Sequence, residues 1–194
     1  MQALAVWVSR LFHPFVVPVP TLVAALLLLG VEWRAVLGWT ALCVAVAIAP
    51  PMLLIVARRL RRGDGDWYVT VREERRSLYL LGGACLLVLL ALLRATGAPS
   101  LLIACLVAAI AANAIGALLN RRTKVSVHVG SAAGCATLLG WIAPAAAPLL
   151  AAAVALVGWA RLRLGHHTLG QVVLGAGVTV SCIATALLLW DGRA

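Results

Sequence analysis

Residues 99–119 read PSLLIACLVAAIAANAIGALL, and this stretch decides the fold because it contains no charged side chain. A helix needs roughly 20 mainly apolar residues to cross a bilayer. The whole chain has the same character, since 64% of its 194 residues are hydrophobic and only 11% are charged. A soluble domain carries far more charge, and a membrane barrel alternates polar and apolar residues. The sequence therefore predicts an all-α protein, a polytopic transmembrane helical bundle that forms a single domain over residues 1–194.

Outward from this run, further apolar segments follow one another with short polar connections. Pro18 and Pro20 lie in the first segment, which is therefore expected to enter the membrane irregularly. The sequence predicts six or seven spans, depending on whether this first segment crosses fully. The segments lie near residues 15–31, 35–57, 77–93, 99–119, 125–140, 143–159 and 168–190.

Lysine and arginine are divided unequally between the two ends of these segments. We call side A the end that carries the loops 58–76, 120–124 and 160–167, and side B the opposite end. If the segments alternate in direction, side A holds 13 of the 16 basic residues and side B holds 3. Short loops rich in lysine and arginine stay inside the cell. We therefore expect a plasma membrane protein of the bacterial type, with side A in the cytoplasm and with no nucleic-acid partner despite the net charge of +10.

Two stretches on side A place ionisable side chains at the ends of apolar segments, where such groups are costly and often functional. The first is Lys124-Val125-Ser126-Val127-His128. The second is Arg161, followed after five residues by His167 and after three more by Gln171. Cationic side chains and a helix start bind phosphate oxygens, and histidine is a nucleophile or a proton donor near neutral pH. The alternative interpretation is a snorkelling arginine, a helix cap and histidines at the membrane interface.

Gln171 lies one helical turn after His167, on the same face of the predicted helix. Its amide oxygen is expected to accept a hydrogen bond from one imidazole nitrogen and to leave the other nitrogen for the site. A third cluster, Arg72-Glu73-Glu74-Arg75-Arg76, precedes the third segment. The spacing of its arginines would let them converge on one anion. The alternative is that they only set the orientation of the chain in the membrane.

Taken together, the three elements resemble the type 2 phosphatidic acid phosphatase superfamily of membrane lipid phosphatases. That family has a Lys/Arg motif, a Pro-Ser-Gly-His motif and a Ser-Arg-x5-His-x3-Asp motif. Here the second corresponds to Val125-Ser126-Val127-His128, and the third to Ala160-Arg161 with His167 and Gln171. The first corresponds to Arg72 with Arg75 or Arg76. The three motifs follow one another in the family's order, and the core that bears them covers residues 72–190. The motifs are most similar to those of a divergent branch of the superfamily.

The resemblance implies an enzyme that needs no metal and no other cofactor. By this resemblance, His167 attacks phosphorus and becomes a phosphohistidine, while His128 protonates the leaving group. The phosphate oxygens would be held by Arg72, Arg75 or Arg76, Ser126 and Arg161, and Lys124 is a further expected phosphate-binding residue. Gln171 departs from the family's aspartate, because a glutamine orients the imidazole but cannot neutralise an imidazolium.

The expected substrate is a lipid phosphate or diphosphate of the isoprenoid or phosphatidyl type, with its head among the side A loops and its tail in the bilayer. One alternative is a lipid phosphotransferase that uses the same site. Another is a non-catalytic transporter or binding protein that keeps a phosphate site, which Gln171 favours. The pair Asp64-Gly65-Asp66 resembles half of a magnesium site, but the sequence offers no second acidic cluster to complete it. The oligomeric state is left open.

Overall fold

The computed structural model of the chain describes residues 1–62, 69 and 71–190, without the side chain of Arg62. Asp64, Asp66 and Arg193 lie outside the described residues. The described part is helical and contains no strand, which confirms the all-α class. Its elements are α1 (Gln2–Leu11), α2 (Pro18–Leu28), α3 (Trp33–Cys43), a π-helical stretch (Val44–Ile48), α4 (Ala49–Arg62), α5 (Arg75–Ala95), α6 (Ser100–Leu119), α7 (Val127–Ile142), a 3₁₀ turn (Pro144–Ala146), α8 (Ala147–Arg163) and α9 (Leu169–Leu189).

Within the part of the chain that the structure describes, five helical stretches are long and apolar enough to cross a membrane. The helices α2 and α7 are shorter, with 11 and 16 residues. At 1.5 Å per residue they measure about 16 Å and about 24 Å, against roughly 30 Å of hydrocarbon. The count of six or seven spans therefore stays a prediction that depends on these two helices. The five long stretches are Trp33–Arg61, Arg75–Ala95, Ser100–Leu119, Pro144–Arg163 and Leu169–Leu189.

The first helix, α1, was not among the predicted segments. It buries Ala5, Val8 and Ser9 and packs against α8. Its opposite face exposes Trp7, and the guanidinium carbon of Arg10 lies 5.7 Å from the centre of the Trp7 ring. An amphipathic helix with an aromatic residue and a cation on its outer face is typical of the membrane interface.

Five helices form a continuous row in the order α5, α6, α9, α7 and α8, each packed against the next. Helix α2 packs on α7 and α3, and the π-helical stretch packs on α5, so that these N-terminal elements cover the row. Helices α5, α7 and α9 begin at the end of the bundle where α6 and α8 finish, because the connections between them are short. All three predicted motifs consequently lie at one end of the bundle, on side A.

Helices α7 and α9 approach each other closely. A Cβ atom on Gly175 would lie 2.6 Å from the carbonyl oxygen of Ser126, and one on Gly130 would lie 3.1 Å from the carbonyl oxygen of Gly175. Only glycine allows the two backbones to approach this closely. The Ser126 N–H also donates to the Gln171 carbonyl at 3.2 Å. These contacts hold the second motif directly against the third.

The π-helical stretch has an identifiable cause. Pro50 and Pro51 follow it within the same continuous helix, and they have no N–H to donate to the carbonyls of Val46 and Ala47. Proline inside a helix interrupts the regular pattern, and π turns are one way in which a helix absorbs the interruption. The widened turn exposes Ala47 and Ile48 to the interior cavities.

Candidate active site

A cavity of about 340 Å³ opens at the side A end of the bundle, within the usual range of small-molecule sites. One end of its wall is apolar and includes Ile48, Pro51 and Leu86. The opposite end is polar and brings together residues from five different parts of the chain. The polar lining residues are His13, Arg75, Tyr79, Asn113, His128 and His167. The cavity therefore suits a ligand with an anionic head and an apolar tail.

His167 lies just before α9 and is 7% exposed. Its Nδ1 is 3.2 Å from Gln171 Oε1, and the same oxygen accepts the backbone N–H of Thr168 at 3.2 Å. A backbone N–H can only donate, so the Gln171 atom that faces it must be the oxygen rather than the nitrogen. The His167 Nδ1 must then donate its own hydrogen to that oxygen. In the neutral ring, the lone pair consequently lies on Nε2.

The surroundings of His167 keep its ring neutral. Burial lowers the pKa of His167 to about 4, and the positive charges of Arg75, Arg161 and Lys124 act in the same direction. The hydrogen bond to Gln171 partly opposes this shift. At neutral pH the imidazole is therefore in the form in which a nitrogen can act as a nucleophile.

Gln171 connects the loop before α7 to the start of α9. Its side chain and that of Thr168 form a reciprocal capping box at the N-terminus of α9. Its Nε2 also donates to Thr123 Oγ1 at 3.5 Å. The Thr168-x-x-Gln171 signature is visible in the sequence, and it gives Gln171 a structural reason to be present in addition to its contact with His167.

Ser126 and His128 begin α7 and are both buried. Ser126 is the N-cap residue and is 0% exposed, yet its hydroxyl has no hydrogen-bond partner in the part of the chain that the structure describes. Arg75 is 8% exposed and donates from Nη1 to the Val125 carbonyl at 3.0 Å and from Nε to the Val69 carbonyl at 3.0 Å. Arg75 thereby joins the start of α5 to the start of α7.

Arg161 occupies the last turn of α8 and is only 1% exposed. Its charge lowers the pKa of both His13 and His167, which places the guanidinium within electrostatic reach of two of the cavity histidines. Lys124 is half-buried and acts on His167 in the same way. Arg75, Arg161 and Lys124 therefore all act on His167 electrostatically.

Arg72 and Arg76 do not line the cavity that contains the histidines. They line a second cavity of about 580 Å³ between α5 and α6, together with Asn120 and Arg121. Arg72 forms an ion pair with Glu73 at 3.1 Å and donates to the Arg121 carbonyl at 3.1 Å. Of the predicted arginine cluster, Arg75 joins the histidines, whereas Arg72 supports the loop that leads into Ser126 and His128.

His13 is a cavity residue that the sequence analysis missed. It follows α1, and its ring meets that of His128 edge to face, with 5.2 Å between ring centres. Burial and the charge of Arg161 lower the pKa of His13, so this ring is also neutral near pH 7. The cavity therefore holds three imidazoles, although the described residues include no group of three His, Cys, Asp or Glu arranged to hold a metal. The sequence signal that could have identified His13 is its position beside Pro14, at the polar end of the first apolar segment.

Comparison with known proteins gives no match: no protein-family model, curated protein or solved structure matches the chain. The similarity to the phosphatase superfamily therefore rests on the motifs quoted from the sequence.

Proposed function

We propose that this protein is an integral membrane phosphatase that hydrolyses a lipid phosphate or diphosphate through a phosphohistidine on His167. One observation carries the proposal. His167 is held by Gln171 in the tautomer whose Nε2 has the lone pair, at the cationic end of a cavity whose other end is apolar. This combination matches a nucleophile for the phosphate of an amphipathic substrate.

In the first step, the phosphate group binds among Arg75, Arg161 and the Ser126 hydroxyl, whose positive charges and hydrogen-bond capacity suit its oxygens. The Nε2 lone pair of His167 attacks phosphorus. The new N–P bond forms as the bond from phosphorus to the lipid oxygen breaks. Binding of the anionic phosphate beside His128 favours the protonated form of its ring, which gives its proton to that departing oxygen, so the lipid leaves as an alcohol, or as a monophosphate if the substrate was a diphosphate.

In the second step, water replaces the lipid. His128 is now neutral and accepts a proton as the water oxygen attacks phosphorus and the N–P bond breaks. Inorganic phosphate leaves, and His167 returns to its starting tautomer with Nδ1–H still donated to Gln171. A lipid alcohol in place of water would give the phosphotransferase reaction with the same residues.

Gln171 favours a second candidate function, a phosphate-binding protein without turnover. The phosphorylated imidazole carries a positive charge, and a neutral amide oxygen stabilises that charge less than a carboxylate does. The capping box at Thr168 also accounts for a glutamine at this position. Catalysis with Gln171 relies on the phosphoryl oxygens themselves to balance the charge of the ring.

Phosphate release by the purified protein tests the proposal. We expect release from at least one member of a series that contains a prenyl phosphate, a prenyl diphosphate and phosphatidic acid. The substitution His167→Ala should reduce the rate by several orders of magnitude, since it removes the nucleophile. His166→Ala is the matched control and should retain most of the rate.

Near-normal turnover in the His167→Ala variant would contradict the proposed mechanism. If the wild-type protein binds these lipids but releases no phosphate from any of them, the binding function is correct instead.

A further inference from the structure

The cavity that contains the histidines is adjacent to a deeper one. This deeper cavity has a volume of about 260 Å³ and shares four wall residues with the first: Pro18, Ala47, Ile48 and Ala109. Its wall is otherwise mostly aliphatic. Its wall also contains four hydroxyls: those of Thr21 and Thr179 donate to carbonyls of their own helices, that of Ser131 donates to the Pro14 carbonyl at 3.5 Å, and that of Thr40 has no hydrogen-bond partner among the described residues. We call the two cavities together the channel.

The channel runs along the bundle from side A toward side B. On α5 its wall begins at Arg75 and continues through Leu86 to Leu93. On α7 it begins at His128 and continues to Leu138. The distance from Arg75 to Leu93 is about 27 Å at 1.5 Å per residue, close to the roughly 30 Å thickness of a bilayer core.

Away from its side A end the channel is lined mostly by apolar side chains, whereas the histidines and Arg75 lie at the side A end. The channel therefore suits a hydrocarbon tail with a phosphate at its side A end.

We propose that the hydrocarbon tail of the lipid phosphate substrate lies in this channel inside the bundle rather than in the bilayer. The inference rests on the proposed function of His167. A bilayer is as apolar as the channel, so the tail gains little by the transfer. What the channel supplies is selection by shape and alignment of the phosphate with the His167 nucleophile.

The substitution Ala109→Leu tests the proposal, because Ala109 lies where the two cavities meet. Ala111→Leu is the matched control, since this substitution makes the same change on the exposed side of the same helix. We expect Ala109→Leu to lower kcat/KM about tenfold or more for a long prenyl phosphate. It should leave unchanged the kcat/KM of an alkyl phosphate too short to reach Ala109. Ala111→Leu should change neither.

An equal loss for the short and the long substrate, or no loss for either, would overturn the proposal. So would a wild-type preference for phosphatidic acid that Ala109→Leu does not alter.

A second measurement does not depend on turnover. An alkyl phosphate with a photoreactive group at the end of its chain is bound to the His167→Ala variant and activated by light. We expect cross-links at the positions of α6 and α7 that line the deep cavity, namely Leu102, Cys105, Leu106, Ala109, Ser131, Gly134, Cys135 and Leu138. Cross-links at exposed positions such as Leu87 or Leu188 would place the tail in the bilayer and overturn the proposal. Failure of His167→Ala to lower activity would instead count against the proposed function.

Discussion

At the scale of single residues, Gln171 determines how His167 is oriented and how readily it accepts a proton. We predict that Gln171→Leu lowers kcat about 10- to 100-fold, because the loss of an orienting partner has effects of that size. Gln171→Asp should keep activity. A carboxylate favours the protonated ring and raises the pKa of His167 from about 4. Because the neutral ring is the nucleophile, the acid limb of the profile of kcat/KM against pH should move to higher pH.

The kcat and kcat/KM of the Gln171→Leu and Gln171→Asp variants are compared with those of the wild-type protein over the same pH range. If Gln171→Leu is as active as the wild-type protein, the contact between Gln171 and His167 has no part in the reaction. In that case the capping box alone explains the glutamine.

His13 is a positioning residue that acts through the ring of His128. We predict that His13→Ala lowers kcat about tenfold with little change in KM, because the edge-to-face contact with His128 is lost. His13→Phe keeps an aromatic ring at this place and should restore most of kcat. If His13→Phe is as impaired as His13→Ala, a ring nitrogen of His13 rather than its packing is what the reaction needs.

The sequence predicted part of this site because spacing along one helix carries over directly into geometry. The expected contact of Gln171 with His167 is present for that reason. His13 has no fixed spacing to His128, so only the folded chain brings the two rings together. The choice of Arg75 rather than Arg76 depends on the residue at which α5 begins, and the sequence does not specify that boundary.

At the scale of elements, the approach of α7 to α9 places Ser126 and His128 beside His167. We predict that Gly175→Ala destabilises the protein by about 1–3 kcal/mol, a usual cost of overpacking, and reduces activity. The reason is that its Cβ would meet the Ser126 carbonyl oxygen at 2.6 Å and push the backbones apart. Gly177→Ala is the control, because a Cβ there meets no atom within 4 Å. Thermal unfolding in detergent and phosphate release measure the two effects, and equal behaviour of the two variants would contradict this account.

Element boundaries were predictable where apolar runs are long and uninterrupted, as in α5, α6 and α9. Helix α1 was missed because a short amphipathic helix at an interface lacks such a run. The length of α2 was overestimated because residues before Pro18 are apolar but not helical, since they form the turns that carry His13.

At the scale of the whole molecule, the distribution of lysine and arginine predicts that side A faces the cytoplasm. Arg163 lies at the side A end of α8, and Arg94 lies at the side B end of α5, both exposed. We predict that Arg94→Cys, in a background without the native cysteines, reacts with an impermeant thiol reagent in intact cells. Arg163→Cys should react only after permeabilisation. The reverse pattern would place the histidine cavity outside the cell.

The central claim is that His167 becomes covalently phosphorylated during turnover. The protein is mixed with a prenyl phosphate, quenched with base because phosphohistidine is labile in acid, and digested for mass spectrometry. We expect a phosphoryl group on His167 in the wild-type protein, with none on this peptide in the His167→Ala variant. Lipid phosphate hydrolysis that continues at the wild-type rate in the His167→Ala variant would contradict the account.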